Sequence, residues 1–193
     1  GYTQILVKEL DVQNLPESSK KYIEIIEQEI DRCRHITSTI LELAKAKAYI
    51  TDTDINATVK KVVELFEHSS LGKNIKFTLD TTKIPLIKAD PYQLHQAIVN
   101  VILNSIQSME SPGNITIKTG LSDSNIILSI KDTGKGIPEE LIQKITDPFI
   151  TGKEGGTGLG LAIASRVIKN HNGRLEIKSR QGIGTEITIY FPV

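Results

Sequence analysis

Cysteine is nearly absent from this 193-residue chain, which has a single one, Cys33. One cysteine excludes an intrachain disulfide and is typical of proteins from reducing compartments. No apolar run approaches the ~20 residues that a membrane-spanning helix needs. Basic and acidic residues balance at 23 each, so net charge favours neither nucleic acid nor an anionic membrane as a partner. These absences predict a cytoplasmic chain with no nucleic-acid partner and no membrane contact of its own.

The chain also lacks pairs of His or Cys at the spacing of metal ligands, which argues against a zinc site. Two histidines, His68 and His95, are expected at exposed helix positions. His171 falls near the end of a predicted helix, where a cation is favoured, and Gly173 follows as the expected left-handed stop. The histidines therefore indicate no metal site.

Glycine, in contrast, is concentrated between residues 132 and 160. One cluster contains Gly134 and Gly136, and a second runs from Gly156 to Gly160 at the start of an apolar stretch. Glycines let the backbone approach a ligand closely, and a helix N-terminus offers free N–H groups to an anion. We interpret the segment as part of a nucleotide pocket, although the second cluster alone fits a flexible connector equally well.

Neither of the common phosphate loops is present. A Walker loop needs Gly-Lys followed by Ser or Thr, whereas Lys153 precedes its glycines. A Rossmann fingerprint needs a strand directly before its glycines, whereas residues Pro148 to Gly155 read as a mobile loop. The pocket must therefore be of another kind.

A helix with two asparagines lies upstream of the glycines. Asp90 is a suitable N-cap and Pro91 suits the first helical position. Apolar residues then recur with a helical period at Leu94, Ala97, Ile98, Val101, Ile102, Ile106 and Met109. Asn100 and Asn104 share one face of this helix, where Asn is a mediocre helix former. Their position suggests a functional task, and the alternative is a polar pair bonded to a neighbouring loop.

Together these motifs resemble the five nucleotide-binding boxes of sensor histidine kinases, within the gyrase, heat-shock-chaperone and histidine kinase ATPase superfamily. The resemblance covers residues from about Asp54 to Val193, and the region around Phe149 is most similar to kinases of the nitrogen-regulation and sporulation type. In chain order the boxes are Asn100/Asn104, Asp132–Gly136, Phe149, Gly156–Gly160 and Gly182–Thr185.

The resemblance implies ATP and Mg²⁺ as ligands. On the base, Asp132 would accept a hydrogen bond from the adenine amine, and Thr185 would reach the adenine edge through water. The base would also lie against Gly134, Gly136 and Ile137. On the polyphosphate, Asn104 would bind Mg²⁺, Asn100 would face the phosphates or the water shell of the metal, and Lys153 would meet the outer phosphates. The remaining implied ATP contacts are Phe149, Gly156, Thr157, Gly158, Leu159, Gly160 and Leu161, with the amides of Gly158 to Leu161 around the phosphates.

Two positions depart from the family pattern. The chain has Ile150 where the family often has a second aromatic residue, and Gly152 where it often has Thr or Ser. These changes predict a looser loop over the pocket. Two roles stay open for Phe149, which would either contact the nucleotide or only cover the pocket.

Residues 1–50 read as a helical hairpin, with its turn in Asp11–Ser19. A heptad seam at Ile23, Ile26, Ile30, Cys33, Thr37, Ile40 and Ala44 predicts that two hairpins form a homodimeric four-helix bundle. This part resembles the end of the dimerisation and phosphoacceptor domain of the same kinases. The resemblance places the acceptor histidine upstream of Gly1. We expect the chain to be a fragment whose sensor region, and any membrane anchor, also lie upstream. His35 lacks the acceptor context and is not expected to be phosphorylated.

For residues 51–193 we predict an α+β fold, a two-layer α/β sandwich with a mixed sheet and three main helices. The helices are expected at Ala57–Leu71, after Asp90 and at Gly158–His171. The strands are expected from Thr53, at Asn74–Asp80, and in two hairpins, Asn114–Thr119 with Asn125–Lys131 and Arg174–Ser179 with Gly184–Phe191.

The resemblance implies transfer of the γ-phosphate of ATP to a histidine and then to an aspartate of a response-regulator receiver domain. An ATP-hydrolysing clamp of the same superfamily is an alternative. It would need a Glu one turn before the metal-binding Asn, where this chain has Asn100, a poor general base. A third possibility is a dimeric scaffold that only senses nucleotide.

Overall fold

The computed structural model of the chain describes residues 16, 19–20, 22–23, 25–26, 30, 49–109, 112–153 and 156–193. The chain divides into two compact units, residues 1–45 and 46–193. In the first unit, residues 19, 20, 22, 23, 25, 26 and 30 are helical. Apart from residues 16, 49 and 50, the rest of the predicted hairpin, with Cys33 and His35, lies outside the described residues. The domain boundary after residue 50 stays a prediction.

The second unit contains eleven regular elements in chain order, with a short 3-10 turn at Ser70–Gly72. They are β1 Thr51–Thr53, α1 Ile55–Glu67, β2 Ile75–Thr81, β3 Ile87–Ala89, α2 Pro91–Gln107, β4 Gly113–Ser122, β5 Asn125–Asp132, α3 Glu139–Ile142, α4 Gly160–Asn170, β6 Arg174–Arg180 and β7 Gly184–Pro192. Within the part of the chain that the structure describes, no helix has the length and apolar character to cross a membrane.

Five of the strands form one mixed sheet in the order β2-β4-β5-β7-β6. β2 runs parallel to β4, and the other neighbours are antiparallel. The register aligns Ile117 with Ile130, Ile130 with Ile187, and Ile187 with Ile177 across four strands. Because side chains alternate along a strand, this register places one apolar row on the same face of the sheet.

The core lies between this apolar face and the helices. The fully or almost fully buried residues of the sheet and of α2 are Leu94, Ala97, Ile98, Val101, Ile102, Ile115, Ile117, Ile126, Leu128, Ile130, Ile189 and Phe191. Along β5, buried residues alternate with half-buried or exposed ones, as expected when one face of the sheet is more fully covered than the other. The predicted α+β class, with a mixed sheet and three main helices, is confirmed.

Two helices differ from the sequence prediction in their boundaries. α1 begins two residues earlier than predicted because Asp54 caps it, accepting a hydrogen bond from Ala57 N–H at 3.0 Å. It also ends earlier, at Glu67, before the 3-10 turn. α4 begins at Gly160, because Gly158 has a positive φ of 66° and cannot belong to the helix. The two-stranded pairing of β1 with β3 was not predicted.

Asp90 joins three parts of the second unit. Its Oδ1 caps α2 by accepting hydrogen bonds from Tyr92 N–H at 2.9 Å and Gln93 N–H at 3.1 Å. Its Oδ2 accepts a hydrogen bond from Tyr49 N–H at 2.7 Å, just before β1. Its own N–H donates to Nε2 of His171 at 2.9 Å. The start of α2 is therefore tied to the segment before β1 and to the end of α4.

The structure corrects the predictions for two histidines and for the left-handed stop at Gly173. His171 is only 5% exposed. Its Nε2 accepts a hydrogen bond from Asp90 N–H, and its Nδ1 lies 2.8 Å from the carbonyl oxygen of Val167. Its ring therefore ties the end of α4 to Asp90, a contact that the helix-end pattern did not predict. The left-handed stop is Asn172, with a φ of 57°, while Gly173 is needed because a Cβ there would approach the carbonyl oxygen of Tyr190. His95 is half-buried rather than exposed.

Replacing Asp90 by Ala is expected to lower the free energy of unfolding by about 1–2 kcal/mol, since it removes the cap of α2. The measurement is urea unfolding, with a lower midpoint at an unchanged slope. Asp52→Ala is the matched control. Asp52 is an exposed carboxylate whose ion pair with Lys88 spans 2.9 Å, and exposed pairs contribute only about 0–1 kcal/mol. Equal losses in the two variants would contradict the role assigned to Asp90.

Candidate nucleotide-binding site

Asp132 lies at the end of β5 and is 3% exposed. Its Oδ1 accepts two backbone hydrogen bonds, from Gly134 N–H at 2.9 Å and from Thr185 N–H at 3.0 Å. These bonds fix the loop after β5 and the start of β7 around a single oxygen. Oδ2 accepts no hydrogen bond within the described part of the chain. Oδ2 is therefore the oxygen of Asp132 that can accept a hydrogen bond from a ligand.

Ser179, which the sequence did not single out, completes this end of the site. Its Oγ accepts the N–H of Ile137 at 2.8 Å and lies 2.8 Å from Oγ1 of Thr185 and 3.1 Å from the carbonyl oxygen of Gly184. β6 pairs with β7 so that Ser179 stands directly opposite Thr185. Only the strand register reveals this contact, because the two residues belong to different strands.

The predicted glycines hold the loop after β5 against its neighbours. A Cβ on Gly134 would collide with Ser108, at the end of α2, whose carbonyl oxygen accepts Lys135 N–H at 3.0 Å. Gly136 has a φ of 71°, and a Cβ there would collide with the backbone of Arg180. Packing within the protein thus already requires these two glycines. Whether they also make room for a base stays a prediction.

Asn104 accepts hydrogen bonds from the ammonium group of Lys153. Nζ of Lys153 donates to Oδ1 of Asn104 at 3.0 Å and to its carbonyl oxygen at 3.1 Å, with Oε1 of Gln107 at 3.5 Å. Burial lowers the pKa of Lys153 from its ordinary value of 10.5 to about 8, with repulsion by Lys135 in the same direction and attraction by Asp132 against it. The loop lysine and the helix asparagine, predicted separately from the sequence, are therefore in direct contact.

Asn100 lies one turn before Asn104 and is 5% exposed. Among the residues that the structure describes, its Nδ2 group is the one buried side-chain nitrogen or oxygen without a hydrogen-bond partner. Such a buried donor costs about 1–3 kcal/mol. Because the folded protein leaves Nδ2 of Asn100 unpaired, this group is a candidate for donating to an oxygen of a ligand.

The first turn of α4 faces these asparagines. A Cβ on Gly160 would lie 4.0 Å from Oδ1 of Asn100 and 3.8 Å from Nδ2 of Asn104. The first N–H groups of a helix have no partner within the helix and attract anions. Leu159 and Leu161 are buried, at 1% and 6% exposed, so only their backbone groups are available to a ligand.

The loop before α4 is folded onto the second glycine cluster. Phe149 N–H donates to the carbonyl oxygen of Gly158 at 3.1 Å, and Gly156 N–H donates to that of Lys153 at 3.2 Å. Phe149 has a φ of 69° and its side chain is 66% exposed. Thr157 is half-buried. The predicted contacts of these residues with a nucleotide stay predictions.

Two family descriptions match the chain. Residues 89–193 match the histidine kinase-, DNA gyrase B- and HSP90-like ATPase family. Residues 1–48 match the His Kinase A (phospho-acceptor) domain.

Individual proteins similar to the chain are histidine kinases. Sporulation kinase C of Bacillus subtilis is 37% identical over 177 residues, which cover 90% of this chain and 41% of that protein. Signal transduction histidine-protein kinase AtoS of Escherichia coli is 33% identical over 197 residues, which cover 100% of this chain and 32% of that protein. The chain thus spans less than half the length of either relative.

A solved structure of histidine kinase ThkA, in complex with response regulator protein TrrA, matches with a TM-score of 0.77 and 30% identity. The match covers 100% of this chain and 55% of that one. The chain therefore belongs to the histidine kinase-, DNA gyrase B- and HSP90-like ATPase family, and its order of domains is that of a sensor histidine kinase core.

Proposed function

We propose that the chain binds ATP with Mg²⁺ and transfers the γ-phosphate to a histidine. The observation that carries this proposal is the cation–oxygen contact at Asn104, one turn from the unpartnered Nδ2 of Asn100 and beside the first turn of α4. A polyphosphate with its metal needs an oxygen ligand for the cation and N–H donors for the anion. The oxygen of Asn104, Nδ2 of Asn100 and the first turn of α4 lie next to each other in this site.

The side chains present fit a magnesium ion. Oδ1 of Asn104 already accepts a hydrogen bond from a cationic group, the ammonium of Lys153, at 3.0 Å. An amide oxygen suits Mg²⁺, which takes few protein ligands and keeps waters and phosphate oxygens. A bound Mg²⁺ would neutralise charge on the phosphates. In the nucleotide complex we assign Asn104 to the metal, Lys153 to the outer phosphates and Asn100 to a phosphate oxygen or a metal-bound water.

The base would be selected by Asp132. Oδ1 is already occupied by two backbone donors, so Oδ2 is the oxygen that faces a ligand donor. An ionised carboxylate only accepts hydrogen bonds. The exocyclic amine of adenine donates at this place, whereas guanine has a carbonyl oxygen there. The arrangement therefore favours ATP over GTP.

Phosphotransfer is favoured over hydrolysis by the chemistry of Asn100. Activation of water needs a general base, and an amide is a poor one. The ATP-hydrolysing clamp is therefore the weaker candidate. A dimeric scaffold that only senses nucleotide is the second alternative, and a phosphotransfer assay on a longer chain would separate it from the kinase.

The partners of the chain are also part of the proposal. Residues 1–48 match a phospho-acceptor domain, which supports a homodimer formed through the helical hairpin. ThkA was solved with a response regulator, which supports a receiver-domain aspartate as the final phosphate acceptor. We place this reaction in the cytoplasm, because the single cysteine is typical of a reducing compartment.

Replacing Asn104 by Ala is expected to remove the effect of Mg²⁺ on ATP binding. The variant should bind ATP about 10- to 100-fold more weakly than the unchanged chain when Mg²⁺ is present, the range for losing a contact to a charged group. Without Mg²⁺ the two should differ little. Calorimetric titration with and without Mg²⁺ measures both affinities. Asn125→Ala is the control, since Asn125 lies at the opposite end of β5 from Asp132. An equal gain from Mg²⁺ in Asn104→Ala would remove Asn104 from the metal site.

Replacing Asp132 by Asn is expected to change base preference without dismantling the loop. The amide oxygen can keep the two backbone donors, so the NH₂ group takes the place of the free carboxylate oxygen. An NH₂ group only donates hydrogen bonds, so it cannot pair with the adenine amine but can donate to the carbonyl oxygen of guanine. We expect ATP affinity to fall at least about tenfold and GTP affinity to rise relative to it. Asp80→Asn, at an exposed ion pair with Lys118, is the control. An unchanged ATP-to-GTP ratio would reject the role of Asp132.

A further inference from the structure

The hydroxyl group of Ser179 has three polar neighbours, and together they fix the direction of its proton. Ile137 N–H, at 2.8 Å, can only donate, so it takes one lone pair of Oγ. The carbonyl oxygen of Gly184, at 3.1 Å, can only accept. Oγ1 of Thr185, at 2.8 Å, can do either.

Only one arrangement satisfies all three contacts. The hydroxyl of Ser179 can donate one hydrogen bond. Within this cluster, Ser179 is the residue that can donate to the carbonyl oxygen of Gly184. In the contact between Ser179 and Thr185, the hydroxyl of Thr185 must then be the hydrogen-bond donor. In the opposite arrangement two oxygens, those of Ser179 and Gly184, would face each other without a proton between them. The hydroxyl of Thr185 therefore points its proton at Ser179 and leaves only lone pairs for the pocket.

We infer that Ser179 is a positioning residue for purine selection, because it keeps the hydroxyl of Thr185 as a hydrogen-bond acceptor towards the base. This inference rests on the proposed adenine-nucleotide site and extends it. Thr185 and Asp132 are held together, since Thr185 N–H donates to Oδ1 of Asp132 at 3.0 Å. The edge of the pocket then presents two acceptors, Oγ1 of Thr185 and Oδ2 of Asp132. Two acceptors suit a purine with an amine at position 6, directly or through a water, and disfavour one with a carbonyl oxygen there.

Ser179→Ala removes the acceptor that holds the proton of Thr185. That hydroxyl can then turn and donate into the pocket, which makes a guanine oxygen acceptable. We expect the ratio of ATP affinity to GTP affinity to fall about tenfold, the effect of about one hydrogen bond. Ser179→Thr keeps the hydroxyl and should restore the ratio. A purely structural role would weaken both nucleotides equally and leave the ratio unchanged.

The test is calorimetric titration of each variant with ATP, GTP and purine riboside triphosphate, which has only hydrogen at position 6. Each variant is first checked for folding by thermal unfolding. A second set carries Thr185→Val, which has no hydroxyl to orient. If Ser179 acts through Thr185, Ser179→Ala should not change the ATP-to-GTP ratio further in that background. Ser129→Ala is the control, since its hydroxyl donates to Glu186 at 2.9 Å, outside this cluster.

The outcomes separate this inference from the proposed function. If the unchanged chain prefers ATP but Ser179→Ala keeps the same ratio, or lowers it equally in the Thr185→Val background, Ser179 has no positioning role and the proposed function stands. If the unchanged chain shows no preference for ATP, both fail. A lowered ratio in Ser179→Ala, its return in Ser179→Thr and no effect without the threonine hydroxyl support the inference.

Discussion

One carboxylate oxygen organises the candidate site, because Oδ1 of Asp132 accepts the N–H groups of both Gly134 and Thr185. These bonds join the loop after β5 to the start of β7 and leave the other oxygen of Asp132 for a ligand. Ser179 adds a second constraint from β6 by holding Ile137 and Thr185. The hydrogen bonds that shape the backbone therefore also decide which atoms are left to recognise a base.

The phosphate end of the site is organised differently, by charge and by an unmet hydrogen bond. Lys153 places its ammonium group on Asn104, and Asn100 buries a donor without a partner. Burial and repulsion by the neighbouring Lys135 both lower the pKa of Lys153, because each disfavours its charged ammonium form. Unsatisfied buried groups and crowded cations destabilise a fold. Their presence together beside a helix N-terminus is understandable if a metal-bound polyphosphate relieves both.

The sequence was most informative where local pattern decides structure. The helical period after Asp90 predicted α2, and with it the shared face of Asn100 and Asn104. Tertiary contacts explain what was missed. β3 has only three residues and is held by its pairing with β1, so it has no period of its own to read. The sequence indicated for His171 only a helix-end position that favours a cation, whereas its hydrogen bond comes from Asp90, 81 residues away in the chain. Ser179 becomes informative only when the β6–β7 register places it opposite Thr185.

The central claim is that this chain holds an adenine nucleotide through Asp132 and its metal through Asn104. Calorimetric titration of the unchanged chain with ATP, with and without Mg²⁺, and with GTP tests it most directly. The account predicts that ATP binds, that Mg²⁺ strengthens the binding, and that GTP binds at least about tenfold more weakly. Absence of ATP binding, or equal affinity for GTP, would contradict it.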